Sequence, residues 1–117
     1  VDDSRPIFVQ IAEQVENDII SGVLADDAQV PSTNEFAAFF RINPATAGKG
    51  VNLLVDAGIL YKKRGIGMFV SPGAKTAIVE RRREGFVDEF LRPLVREAAA
   101  LGISTDELAD MIRKENH

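Results

Sequence analysis

The stretch S-T-N-E-F-A-A-F-F-R-I-N-P-A-T, Ser32 to Thr46, decides how the chain is read, because it holds two helix starts with almost no room between them. Ser32 and Glu35 form an S-x-x-E capping box, in which each side chain satisfies a backbone N–H that the new helix leaves without a partner. Phe36, Ala37, Phe39 and Phe40 supply the apolar side of that helix, and the three phenylalanines are expected in the core. The helix must be short, since Arg41-Ile42 runs straight into Asn43-Pro44. Asparagine is a good N-cap, and proline is pre-organised for the first helical position. A third helix therefore starts near Pro44, with Ala47, Val51 and Leu54 on one face and Val55 extending it. Gly58 is placed to end it in a left-handed conformation.

Upstream, Ile7, Ile11, Val15 and Ile19 recur every four residues, with Phe8 and Ala12 beside them. That spacing predicts an amphipathic helix from Ile7 to about Ser21, entered through Pro6 and stopped at Gly22. Downstream, I-L-Y-K-K-R-G-I-G-M-F-V (Ile59 to Val70) places two short apolar stretches around Arg64-Gly65-Ile66-Gly67, the pattern of a β-hairpin. Ser71-Pro72-Gly73 is a break, so the chain divides into residues 1–72 and a tail of residues 73–117. In the tail, Ile78, Phe86, Val87, Phe90, Leu91, Leu94, Val95 and Ala98 keep helical spacing. Pro93 should kink or split that helix. Gly102 ends it, and Ser104 with Glu107 starts a last helix carrying Leu108, Met111 and Ile112. The fold expected is mainly α with a small β-hairpin: a winged helix-turn-helix followed by a two- or three-helix tail.

Composition bounds what such a chain can do. Its 117 residues are 45% hydrophobic and 27% charged, the profile of an ordinary globular domain. Cysteine is absent, which excludes disulfides and thiolate metal sites and fits a cytoplasmic location. No apolar run approaches the roughly 18 residues of a transmembrane helix, and no membrane association is expected. The lone histidine is His117, and no Ser–His pairing, metal-ligand cluster or phosphate loop appears. No enzyme, metal or cofactor is expected.

The arrangement points instead to double-stranded DNA. In helix-turn-helix proteins the N-terminal end of the second helix meets base edges in the major groove. Here that end is Asn43-Pro44-Ala45-Thr46, with Arg41 just before it and Lys49 one turn later. Lys62, Lys63, Arg64 and Gly65 suit phosphate or the adjacent minor groove. The chain is acidic overall at −4, yet Val30 to Val70 carries five cations against two anions, a local +3. Blander readings stand beside these. Asn43 is explained by capping alone, Lys62 to Arg64 could be a solvated run, and Arg81-Arg82-Arg83 reads as a solvated helix surface.

Taken together, these residues resemble the GntR family of bacterial transcription regulators, in particular its YtrA-type subgroup with a short helical C-terminus. R-P-I-F-V-Q-I (Arg5 to Ile11) is similar to that subgroup's opening, and V-P-S-T-N-E-F-A (Val30 to Ala37) to the family's L-P-S-E-R-E-L-A. I-N-P-A-T (Ile42 to Thr46) resembles V-N-P-N-T at the start of the recognition helix. Leu54 to Val70 looks like the family's helix end, strand and wing, and Ala98 to Leu108 like the subgroup's tail. The resemblance implies that Ser32 and Thr33 touch backbone phosphate. Asn34 stands where many members carry arginine, so its contact would be weaker or absent. Thr46, Lys49, Arg64 and Gly65 match polar, basic and wing-tip positions. Asp26-Asp27 replaces the usual Pro-Gly turn. Gly48 and Gly50 lie inside the recognition helix at about 1 kcal/mol each against alanine. Tertiary packing, close approach to DNA, or reduced DNA affinity would each account for them.

The family implies a homodimer on a near-palindromic operator, with repression as the expected outcome. The residues support dimerisation independently. About 44 tail residues are too few for a strong core of their own, yet they carry a broad apolar face. Phe86, Phe90, Leu91, Leu94, Val95, Leu108, Met111 and Ile112 are the expected dimerisation residues. Any small-molecule effector would have to use a small pocket between the tail helices or the subunits. The competing reading is a winged-helix protein-interaction module without specific DNA binding, which the acidic body and the glycines favour.

Overall fold

A computed structural model describes residues 5–116. Helix α1 (Ile7–Ile20) is followed by a short strand β1 (Gln29–Val30), then α2 (Thr33–Phe40) and α3 (Pro44–Asp56). The hairpin strands are β2 (Leu60–Lys63) and β3 (Gly67–Val70), and α4 (Ala74–Phe86), α5 (Arg92–Ala100) and α6 (Thr105–Glu115) complete the chain. The tail is thus three helices.

The cap chemistry read from the sequence is present atom for atom. The Ser32 hydroxyl accepts from the Glu35 N–H at 3.1 Å while Glu35 accepts from the Ser32 N–H at 2.9 Å. Ser104 and Glu107 repeat the box at α6. Asn43 Oδ1 accepts from the Ala45 N–H at 2.7 Å, so capping is its role in the fold. Helices α2, α3 and α5 end alike. Ile42 N–H donates to Ala37, Ile59 to Leu54 and Ile103 to Ala98, the six-to-one bond that closes a helix through a left-handed residue. That residue is Gly58 after α3 and Gly102 after α5, but Arg41 after α2, at φ 56°.

The hairpin belongs to a three-stranded antiparallel sheet of order β1-β3-β2, where the sequence indicated two strands. Gln29 faces Phe69 and Val30 faces Met68, while Tyr61 lies across from Phe69 on the other side. Side chains alternate between faces. Val30, Leu60, Met68 and Val70 are accordingly buried, and Gln29, Tyr61, Lys63 and Phe69 share the outer face.

The core gathers Val15 and Ile19 of α1, Phe36 of α2, Val51 and Leu54 of α3, the inner sheet residues, and Ala74 and Ile78 of α4. Phe39 departs from expectation: it is 80% exposed. At 100° per residue, the inward arc runs from Phe36 through Phe40 to Ala37, and Phe39 falls outside it, beyond Phe36 on the solvent side. Its ring instead packs edge-on against Phe40, centroids 5.0 Å apart.

The chain forms two compact units that divide between Glu80 and Arg81, not at the Ser71-Pro72-Gly73 break. Burial of Ala74 and Ile78 in the first core explains why the first turns of α4 belong with the winged helix. In the second unit Pro93 splits the helix as expected. Val87–Leu91 adopts a π-helical turn, with the Arg92 N–H reaching back to the Val87 carbonyl. Proline lacks the N–H that would bond Glu89 and its ring would crowd that carbonyl, and the wider turn relieves both. Among the described residues from Arg81 onward, Ala98 alone is buried.

Candidate nucleic-acid interface

Three short elements of the first unit carry the residues singled out for DNA. The start of α2 presents Ser32 and Asn34 exposed and Thr33 half-buried. Asn43, Ala45 and Lys49 are exposed at the start of α3, with Thr46 half-buried beside them. Backbone N–H groups at both helix starts and the positive ends of both helix dipoles favour phosphate there. Arg41 is exposed in the turn between the two helices.

Contacts with α1 and α2 fix α3 in place. A Cβ on Gly50 would lie 2.7 Å from the Phe8 carbonyl oxygen and 3.3 Å from Ile11 Cβ. Gly50 is therefore required by the crossing of α1 and α3, which settles its place among the three alternatives as packing. A Cβ on Gly48 would meet Thr33 Cγ2 at 3.7 Å, an ordinary contact. The ammonium of Lys49 sits 5.6 Å from the Phe8 ring centroid, so α1 also steers this cation.

The wing is braced from β1. Gln29 Nε2 donates to the Ile66 carbonyl at 3.3 Å, and the Ile66 N–H closes the turn on Lys63 at 2.9 Å. Gly65 supplies φ 75° at the tip, where a side chain would be strained. Lys62 and Lys63 do not share a face. Lys63 lies over the outer face, 4.8 Å from the Phe69 centroid, and Lys62 pairs with Met68 toward the opposite face. Tyr61 stacks on Phe69 at 5.7 Å, and its hydroxyl donates to Asp27 Oδ1 at 2.6 Å. That hydrogen bond, helped by partial desolvation and the nearby charge, holds the Tyr61 phenol above its ordinary pKa. Asp27 itself has φ 62°, in the turn where the resemblance implies glycine.

Gln29 and Ile66 were not singled out from sequence, and Asp27 only as a departure from the usual Pro-Gly turn. Ile66 is 65% exposed at the wing tip. The one available sign was an apolar residue between two glycines in a basic turn. A two-residue strand such as β1 shows no period at all.

In the second unit Phe86, Phe90, Leu91, Leu94, Val95, Met111 and Ile112 are all exposed and Leu108 is half-buried. The tail carries an open concavity of about 580 Å³ lined by Leu94, Leu108, Met111 and Ile112 among others. It uses the same side chains as the expected dimer face. Among the described residues no three histidines, cysteines or carboxylates gather to hold a metal, and no helix is long and apolar enough to cross a membrane.

A capped turn between α2 and α3, an exposed polar start to α3 and a cationic wing define a winged helix-turn-helix DNA-binding protein. Residues 8–70 match the family model described as bacterial regulatory proteins, gntR family. The chain belongs to the GntR family, whose members regulate transcription and are not enzymes. It is similar to the HTH-type transcriptional repressor YtrA of Bacillus subtilis (strain 168), 31% identical across 95% of this chain and 85% of that one. A solved GntR-family transcriptional regulator from Bacteroides thetaiotaomicron is 34% identical, with TM-score 0.72 over 92% of this chain and 94% of that one. The DNA-binding domain of AraR, solved in complex with operator ORX1, is 29% identical, with TM-score 0.56 over 61% of this chain and 87% of that one.

Proposed function

We propose that this DNA-binding regulator represses transcription in the cytoplasm as a homodimer on a near-palindromic operator. The observation that carries the dimer is the second unit's lack of a core, with Phe86, Phe90, Leu94, Val95, Met111 and Ile112 all in solvent. Apolar area removed from water is the main driving force for association. A second copy offers the same face, as two-fold pairing requires. Repression is supported by the similarity to YtrA, named a transcriptional repressor. DNA contact is assigned to Ser32, Thr33, Asn34, Arg41, Asn43, Ala45, Thr46 and Lys49 for the helices, and to Lys62, Lys63, Arg64 and Gly65 for the wing. Packing of Gly50 against α1 removes one reason for preferring a protein-interaction module.

Footprinting on the DNA upstream of the chain's own coding region, paired with sedimentation equilibrium, tests the proposal. Two protected half-sites about 10 base pairs apart, or a multiple of that, and two protomers per operator are expected. A monomer at working concentration, or no salt-sensitive protection of any upstream fragment, overturns it.

A further inference from the structure

Phe39, exposed and unused by the DNA-facing surface, forms one wall of a groove of about 710 Å³ between α1 and α2. That volume lies within the range of pockets that hold a single small molecule, roughly 300–1,000 Å³. Val23 and Leu24 from the turn after α1, and Phe36, Phe39 and Phe40 from α2, line it. Its charged members are Asp18 and Glu35, and neither lysine nor arginine lines it. Each carboxylate accepts one neutral donor, Asp18 from Gln14 Nε2 at 3.2 Å and Glu35 from the Ser32 N–H at 2.9 Å. Neither is ion-paired among the described residues. A carboxylate has about four acceptor sites, so both retain capacity for a cation.

We propose that the groove between α1 and α2 binds a small apolar cation, its body against Val23, Leu24 and the phenylalanines and its charge facing Asp18 and Glu35. Two negative charges on a wall whose only other polar side chain is Gln14 favour a cation over a neutral or anionic molecule of the same shape. A cation within about 6 Å of a phenylalanine face gains a further electrostatic attraction, and Phe39 and Phe40 supply such faces. The bond from the Ser32 N–H lowers the Glu35 pKa, so Glu35 is ionised at neutral pH. All of these residues belong to the first unit. The inference concerns a ligand and does not depend on operator recognition.

Calorimetric titration of the full chain with tetraphenylphosphonium and with tetraphenylborate, ions of matched shape and opposite charge, tests it without DNA present. The cation should bind saturably, one per protomer, at least tenfold more tightly than the anion. Asp18→Asn should weaken the cation severalfold and narrow the gap between the ions, while Phe39→Ala should weaken the cation severalfold. Glu84→Gln, which removes an equal charge from α4, should change nothing. Thermal melts establish that each variant is folded, with Val23→Ala as the replacement if Phe39→Ala is not. Equal affinity for the two ions, no saturable binding, or loss with Glu84→Gln equal to that with Asp18→Asn overturns the proposal. So does a folded Phe39→Ala or Val23→Ala chain that binds the cation unchanged, which would place the ion elsewhere.

Discussion

The Phe8 carbonyl oxygen lies where a Cβ at position 50 would fall 2.7 Å from it, so α1 and α3 cross with a glycine at their contact. The two glycines of α3 therefore carry opposite expectations. Gly50→Ala forces the backbone of α1 away and should destabilise the chain by about 1–3 kcal/mol, as overpacking of a tight core does. Gly48→Ala meets only Thr33 Cγ2 at 3.7 Å and should stabilise by up to about 1 kcal/mol through helix propensity. Urea denaturation of both variants checks this. Equal effects would place neither glycine under packing constraint.

Much of the first unit was legible because its signals are local. The box of Ser32 with Glu35, the pair Asn43-Pro44 and the stop at Gly58 each act within a few residues, and each appears with the bonds its chemistry implies. The features that escaped depend on partners distant in sequence. Strand β1 exists because β3 lies beside it, and two residues carry no alternation to detect. Phe39 has the composition of a core residue, but α2 turns Phe36 and Ala37 into the core and leaves Phe39 outside that arc. Lys62 and Lys63 look like one patch until a strand alternates them. The division at Glu80 follows from where Ala74 and Ile78 pack, which a Ser-Pro-Gly break does not encode.

Arg41 closes α2 at φ 56°, a conformation that suits glycine far better than a side chain. Non-glycine residues pay about 1–2 kcal/mol in that region. Arg41→Gly should therefore raise the melting temperature. It also removes a cation from the turn before the recognition helix, so operator affinity should fall. Melting and operator titration on the same samples separate the two effects. A variant that is both more stable and equally tight on DNA would remove Arg41 from the interface.

The hydrogen bond from Tyr61 to Asp27 ties the wing's outer face to the turn before β1. It favours the protonated phenol, which raises the Tyr61 pKa in the folded chain. The sign follows directly: the stabilisation is present below the unfolded value of about 10 and is lost as pH rises through the folded value. Tyr61→Phe should thus be less stable than the parent near neutral pH, with the difference shrinking in strong alkali. Denaturation curves from about pH 8 to about pH 11.5 read it out. A difference that grows with pH would contradict the assignment.

Lys49 and Arg64 stand on different elements, α3 and the wing, and the DNA contacts proposed for them should be separable by salt. If Arg64 neutralises a phosphate, Arg64→Ala lowers the slope of log affinity against log salt by about 1, with similar loss on specific and unrelated DNA. Lys49 lies over the Phe8 ring at the start of α3, the end for which a base-edge contact is proposed. Lys49→Ala should cost about 1–3 kcal/mol on the operator and much less on unrelated DNA. Competition assays across a salt series measure both quantities. Loss from neither variant would mean that α3 and the wing do not face the duplex.

The strongest test of the tail is a charge placed within its apolar face. Phe86 and Phe90 stand one helical turn apart with centroids 5.8 Å from each other, both exposed, Phe86 just before the π-helical turn and Phe90 within it. In a homodimer Phe90→Glu would bury a carboxylate without a partner, a cost that dissociation avoids. The variant should sediment as a monomer and lose tenfold or more in operator affinity, because two half-sites are then no longer engaged together. Folding of the winged helix should change by no more than about 0.5 kcal/mol, since Phe90 is a surface residue in the monomer. Phe90→Leu keeps the face apolar and should remain dimeric. If Phe90→Glu stays dimeric and binds its operator unchanged, the subunits meet through some other surface.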